Sequence, residues 1–449
     1  MSVRRRIVVL GLLALVVAGG SIALTGGLDF AGTSKPTVPA PSSTSASAGP
    51  QASIDAVPTA PPTPTPVPAL GGTELYGFLP YWQMNATMAT YLRSTPLTTL
   101  ALFSVTARKN GSLITSTTAY KRISGAIGSR LISEAHARGS QVDLVFTSFG
   151  TDHNAAFLGR AIAPEPSPGS SLSPVPTAIG SAAPAPLPSP IPTPAAPPWH
   201  RTVTELVAEA RALGVDGICV DIELLDELDR GAYGEFLTAL RTALVAAIPG
   251  ARLTVATEAG PRGVGNAAAA SAAGVDRVFL MGYDYNWGGS SAGASSPVDR
   301  MDGTYTLRWS IDQYVEAGVP RDRILLGLPL YGMQWRTEGP NLIYSTIGAG
   351  VTWFPSLHRD RLTNPAFQPN RDRYEEVEWF VVPSGTDWLL TYYDSPTTLR
   401  PKLALALDNG LAGAGFWAMG YERGLPGYLE LMRDFRGGNV SRTQAPPRP

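Results

Sequence analysis

The chain has 449 residues, a net charge of −1, 44% hydrophobic residues and 16% charged residues. The near-neutral balance excludes a nucleic-acid binder, which needs a basic face. The single cysteine, Cys219, excludes an internal disulfide framework and a thiolate zinc cluster, and His136, His153, His200 and His358 stand far apart without ligand spacing, so neither a metal nor a cofactor is expected.

In chain order, Arg4, Arg5 and Arg6 precede an apolar run over 7–24. Its length sits between a signal-peptide core and a short transmembrane helix, so residues 1–30 read as a signal peptide or a signal anchor. The arginines stay in the cytoplasm in that reading, which places the remainder outside, secreted or held to a membrane only through the N-terminal segment. No cysteine follows the run, which excludes a lipoprotein anchor. More than half of the 41 prolines fall in 35–70 and 163–198. Both stretches are mostly Pro, Ser, Thr and Ala and bury too little apolar surface to offset ordering entropy. Residues 31–71 read as a disordered stalk, with a reach of up to roughly 120 Å at the polyproline rise of about 3.1 Å per residue. Residues 163–198 read as a disordered insertion, with 164–197 removable without loss of the fold, and 437–449 as a disordered tail.

The foldable sequence between 72 and 436 alternates short apolar runs with amphipathic stretches. Strands are expected at 74–79, 99–106, 142–147, 216–222, 252–257, 277–281, 324–330 and 414–418. Helical periodicity covers 119–138, 203–213, 233–247, 307–317 and 397–409. Nearly continuous apolar strands separated by helices indicate a parallel sheet buried on both faces. Eight such units give an α/β fold, a (β/α)8 TIM barrel, with function at the C-terminal strand ends. Residues 336–393, after the seventh strand, carry Trp353, Trp379, Trp388, Tyr392 and Tyr393 and a hairpin turning near 383–387, and read as a small α+β lobe walling a cleft.

The fourth strand, Asp216-Gly217-Ile218-Cys219-Val220-Asp221-Ile222-Glu223, carries the most chemistry. Side chains alternate along a strand, so Cys219, Asp221 and Glu223 share one face, the barrel interior, with Asp221 and Glu223 about 6.7 Å apart along it. Two neighbouring carboxyls with separated pKa values suit acid-assisted glycoside cleavage. Asp226, Glu227 and Asp229 read instead as a solvated loop, and Glu258 as either facing the cleft or solvated. Gly263-Val264-Gly265-Asn266-Ala267-Ala268 matches a dinucleotide fingerprint, but Pro261 and Arg262 separate it from a strand, so it reads as a loop opening an Ala-rich helix. Trp82, Trp287, Trp335 and Trp417 fall at strand ends, where sugar stacking and core packing both fit.

Asp-Gly-x-x-x-Asp-x-Glu at 216–223 resembles the signature of the family 18 glycoside hydrolases, the chitinase-like barrels. Met281-Gly282-Tyr283-Asp284 is similar to that family's sixth-strand motif, Gly327-Leu328-Pro329-Leu330-Tyr331-Gly332 to its seventh strand, and Gly415-Phe416-Trp417 to its eighth. Gly77-Phe78-Leu79-Pro80-Tyr81-Trp82 resembles the first strand of the bacterial spore-cortex and wall-lytic branch, and Trp417-Ala418-Met419-Gly420-Tyr421-Glu422 leans the same way. The resemblance implies Glu223 as general acid, Asp221 as the residue that orients the substrate acetamido group, and Tyr283 as its carbonyl partner. It implies substrate contacts for Asp284, Trp417, Met281, Tyr81, Trp82 and Tyr331, and an N-acetylglucosamine-containing polysaccharide as partner. The departure is Cys219, where the family has Asp or Asn. Loss of that carboxylate is expected to lower the pKa of Asp221 and to slow turnover or move the pH optimum. Two functions follow: an exported hydrolase of β-1,4-linked N-acetylglucosamine polymers, peptidoglycan or chitin, or a catalytically silent lectin on the same barrel. A thiol nucleophile at Cys219 is the weaker chemical alternative, because no base lies near it in sequence.

Overall fold

In the computed structural model, which describes residues 73–160, 196–301, 305–342 and 344–440, the apolar runs become parallel strands because both of their faces are covered. The strands are β1 (Glu74–Pro80), β2 (Thr99–Thr106), β3 (Gln141–Phe149), β4 (Gly217–Glu223), β5 (Arg252–Glu258), β6 (Arg277–Met281) and β7 (Ile324–Pro329). A second group follows: β8 (Gly332–Thr337), β9 (Val351–Trp353), β10 (Asn370–Asp372), β11 (Val377–Ser384) and β12 (Asp387–Tyr393), before β13 (Gly413–Trp417). The first seven and β13 close into a barrel in the order β1-β13-β7-β6-β5-β4-β3-β2. All seven residues of β1 are buried, with Leu75 and Leu79 facing the helices and Tyr76 and Phe78 facing inward. Inside, Tyr76, Phe78, Ala101, Phe103, Val145, Cys219, Ala256, Phe279, Met281 and Leu325 fill the barrel. The interior is therefore a packed core, and only its upper end is left for chemistry.

Helices cross between the strands, including Trp199–Leu213, Arg230–Ala247, Leu307–Glu316 and Pro396–Asp408. The helical stretch expected over 119–138 is two helices, Thr118–Ile123 and Ala126–His136. Gly125 makes the break: a methyl there would sit 2.6 Å from the Lys121 carbonyl oxygen, so the chain turns where a side chain has no room. The 263–268 stretch lies within the helix Pro261–Ala272 and not in a loop before it, because Pro261 starts that helix in its first turn. Its glycines serve packing, since a methyl on Gly263 would meet the Glu258 carbonyl oxygen at 1.6 Å and one on Gly265 the Arg230 guanidinium at 2.3 Å.

β8–β12 form a separate five-stranded antiparallel sheet, ordered β10-β11-β12-β8-β9. It begins at Gly332, directly after the seventh barrel strand, and β11 and β12 are joined by a tight turn with Gly385 at φ 62°. Trp353, Phe380 and Tyr393 make its own small core, and the sheet is tied to the barrel by Arg300 Nε donating to Glu375 at 3.0 Å. Trp335 is 1% exposed and belongs to the core, which removes it from the candidate sugar platforms.

The lower mouth is closed by ions. Arg277 and Arg252 both donate to the Glu74 carboxylate, Arg277 Nε at 3.0 Å and Arg252 at 3.2 Å, and Arg252 also reaches Thr99. The chain end 437–440 folds back, with Val440 buried, and is not tail. The export segment 1–30, the stalk 31–71, most of the insertion 163–198, and 441–449 lie outside the described residues. Among the described residues, no helix is long and apolar enough to cross a membrane.

Candidate active site

Four residues of β4 (Gly217, Cys219, Asp221 and Glu223) point into the barrel one above another, in register with Arg252, Thr254 and Ala256 of β5. At the lowest level, the absence of a side chain at Gly217 makes room for Asp143 of β3, whose Oδ1 is 2.4 Å from where a methyl would be. Asp143 accepts hydrogen bonds from the Tyr76 hydroxyl at 2.7 Å and the Thr254 hydroxyl at 3.3 Å. Burial pushes its pKa up to about 6, while the Arg252 charge pulls it down. One level higher, burial, then Asp143 and Asp221, push the Cys219 thiol up. It stays protonated, which removes the thiolate nucleophile.

Asp221 is buried, and its Oδ1 has no hydrogen-bond partner among the described residues. Its pKa is raised to about 8, first by burial and then by the charge of Glu258. Cys219 takes away one carboxylate that would press on Asp221, yet the group still stands well above the ordinary carboxylate range. The missing carboxylate at 219 is outweighed by desolvation and by a carboxylate on the next strand.

Glu223 ends β4 half-buried at the cleft. Its main chain is pinned by Asn154, whose side-chain amide donates to the Glu223 carbonyl at 2.7 Å and whose Oδ1 accepts from Ser148 at 2.7 Å. The chain then turns through Leu224 at φ 60°, and the Leu224 amide donates to Glu258 Oε1 at 2.9 Å. Burial, Asp221, Glu258 and Asp284 all raise the Glu223 pKa, so the carboxyl holds its proton well above the usual range.

The facing wall comes from the end of β6. Asp284, at φ 60°, accepts from the Tyr331 hydroxyl at 2.5 Å, and its amide donates to the Ser295 hydroxyl at 3.0 Å. This holds the adjacent Tyr283, which meets Tyr331 edge to face at 6.1 Å. Burial, Asp221 and Glu223 keep the Tyr283 phenol protonated, a hydroxyl able to donate. The floor is Trp417, half-buried, with Phe103 edge-on at 4.7 Å and Phe78 at 5.6 Å. Trp82 flanks it, its indole N–H donating to the Tyr421 hydroxyl at 3.2 Å. The peptide bonds Phe103–Ser104 and Trp417–Ala418 are cis.

Glu223, Asp221, Tyr283, Asp284, Trp417, Trp82, Met281 and Tyr331 thus meet at one end of the barrel. Tyr81 does not: it packs on the outer hydrophobic shell and reaches this group only through the edge of Trp82. Sequence reasoning missed Asp143, Asn154 and Ser295 and left Glu258 undecided. Asp143 carried a signal, an acid inside an otherwise apolar strand; Asn154 and Ser295 sit in ordinary helix and loop sequence and carried none.

Residues 200–422 match the profile described as Glycosyl hydrolases family 18. A class V chitinase of Lotus japonicus is 29% identical over 160 residues, 33% of this chain and 38% of that one. The cortical fragment-lytic enzyme of Bacillus anthracis is 24% identical over 235 residues, 49% of this chain and 50% of that one. The chain thus spans half or less of the length of these curated relatives. Among solved structures, the class V chitinase from Nicotiana tobaccum in complex with NAG4 superposes with a TM-score of 0.63 at 17% identity, covering 83% of this chain and all of that one. The barrel carried by this chain belongs to the glycosyl hydrolases of family 18.

Proposed function

We propose that this protein is an exported hydrolase of β-1,4-linked N-acetylglucosamine polymers that works by substrate-assisted, retaining catalysis. The carrying observation is the Glu223 carboxyl at the end of β4, pushed well above the usual range by burial and by Asp221, with Asp221 below it, the Tyr283 hydroxyl opposite and Trp417 as floor. Glu223 protonates the glycosidic oxygen as the bond breaks. The substrate's own acetamido carbonyl oxygen attacks the anomeric carbon from the other face, forming an oxazolinium ion. An intramolecular nucleophile can supply roughly 7–11 kcal/mol of the barrier through effective molarity. Asp221 accepts the acetamido N–H, and its charge opposes the developing positive charge. Tyr283 donates to the acetamido oxygen and aligns it. Asp284, held by Tyr331 and Ser295, binds a sugar hydroxyl, and Trp417 takes the sugar face. Glu223, now ionised, then draws a proton from water that opens the oxazolinium ion.

The bound NAG4 of the tobacco enzyme and the name of the Bacillus anthracis relative support chitin-like and wall-derived substrates respectively. The basic and apolar start of the chain, followed by a proline-rich stretch, supports action outside the cytoplasm and favours a wall glycan. The test is to follow cleavage of N-acetylglucosamine oligomers by proton NMR. A first product in the β configuration and no cleavage of fully deacetylated oligomers are expected; an α first product contradicts the mechanism. Cys219 favours a second reading, a silent lectin, which predicts binding with no cleavage.

A further inference from the structure

The acid Glu223 has a neighbour that the mechanism above does not use. β4 and β5 run parallel in register, with Asp221 opposite Ala256. Continuing that register two residues further, to the last residue of each strand, sets Glu223 against Glu258, with the parity of Cys219, Ala256 and the barrel interior. Adjacent strands are about 4.8 Å apart, so the two glutamates leave neighbouring backbone positions in the same direction. Glu258 is half-buried. Its Oε1 accepts from the Leu224 amide at 2.9 Å and so fixes the left-handed turn that follows the acid. Its Oε2 is buried with no hydrogen-bond partner among the described residues.

We infer that Glu258 is a positioning residue for the acid: one oxygen holds the backbone turn that aims Glu223, and the other stands buried and unpartnered beside it. This inference rests on the hydrolase reading of the site. The groups around Glu258 are Asp221 and Glu223 of β4 and the phenols Tyr233 of the helix Arg230–Ala247 and Tyr314 of the helix Leu307–Glu316, while Asp284 beyond β6 acts on Glu223. The Tyr314 hydroxyl donates to the Glu258 carbonyl at 2.7 Å. The charges acting on Asp221 and Glu223 are all carboxylates, so removing one makes both neighbours easier to ionise. The arrangement also gives Cys219 an explanation. A carboxyl pressing on Asp221 from below is absent, and one pressing from the side, above the thiol, is present.

The direction of the effect is fixed. Catalysis needs Glu223 protonated, so activity falls as pH rises through its pKa, and needs Asp221 ionised, so it falls as pH drops through that pKa. Glu258→Gln removes the charge but keeps an oxygen for the Leu224 amide. Both limbs of the kcat profile on N-acetylglucosamine oligomers should move to lower pH, by about one unit, with KM within about twofold. Glu258→Asp keeps the charge and should keep wild-type limits with a lower kcat.

A second readout does not need turnover. The raised carboxyls make the fold lose stability as pH rises from 5 to 8, so the fall in Tm over that range should be smaller in Glu258→Gln. A Gln variant with the wild-type pH limits and the wild-type fall in Tm overturns the inference, as does a Gln variant that fails to fold, because its amide preserves the Leu224 bond. A Glu258→Asp profile displaced like that of Gln overturns it too. A wild-type chain without turnover would sink the hydrolase reading, and the Tm comparison would then decide the role of Glu258.

Discussion

The level beneath Asp221 decides how the cleft titrates. Cys219 is fully buried there, and the Tyr76–Asp143 pair lies below it. A carboxyl at 219 would stand beside Asp221 in a site with little water and push its pKa higher still. Cys219→Asp is therefore expected to move the acidic limb of the kcat profile to higher pH, as measured on N-acetylglucosamine oligomers. An unmoved limb would show that position 219 does not couple to Asp221. The acids of β4 could be placed from sequence because strand parity alone puts 219, 221 and 223 on one face. The partners that set their pKa values could not, because Glu258 and Asp143 arrive from other strands and register is a tertiary property. The same gap hid how high Asp221 stands, because Glu258 presses on it from the next strand.

At the scale of elements, the barrel strands were readable because burial on both faces writes a continuous apolar run. The helices were less so. Periodicity carried straight through 119–138, although the carbonyl oxygens around Gly125 and Gly128 leave no room for a side chain, and the chain bends there. The helix Pro261–Ala272 depends on similar close packing against the end of β5. Gly263→Ala would press a methyl against the Glu258 carbonyl oxygen. Overpacking of this kind costs roughly 1–3 kcal/mol. A lowered Tm is expected, with reduced turnover because the displaced residue is Glu258. An unchanged Tm would mean that the helix shifts freely against the strand.

At the scale of the whole molecule, charge is divided along the barrel. The lower mouth pairs Glu74 with Arg252 and Arg277, whereas Asp221, Glu223 and Asp284 at the upper mouth have raised pKa values and no ion pair among the described residues. Asp143 and Asp221 keep protons to about pH 6 and about pH 8, above the ordinary carboxylate value of 3.8. Their contribution to stability is full below that ordinary value and is lost as pH rises through 6 and then 8. Glu134, held to about 2 by Arg93 and Arg130, acts in the opposite sense but only at lower pH. The Tm should therefore fall between pH 5 and pH 8.5; a Tm that rises over that range contradicts these shifts.

The proline-rich insertion also belongs to this scale. A methyl on Gly159 would sit 3.0 Å from Pro197 Cβ, so the chain leaves and re-enters the barrel at neighbouring points. Replacing 161–195 by a short Gly/Ser linker changes loop-closure entropy only slightly, so the Tm should move by a few degrees at most. A collapse in calorimetry would show that those residues support the barrel.

The most direct test of the hydrolase reading is sugar release by the full chain from N-acetylglucosamine oligomers and from purified peptidoglycan, beside Glu223→Gln. The account predicts release by the wild type, at least a thousandfold loss in the variant, and oligomer binding that survives in both, with the preferred polymer naming the substrate class. Equal release by the two proteins, or binding without release by the wild type, would contradict it.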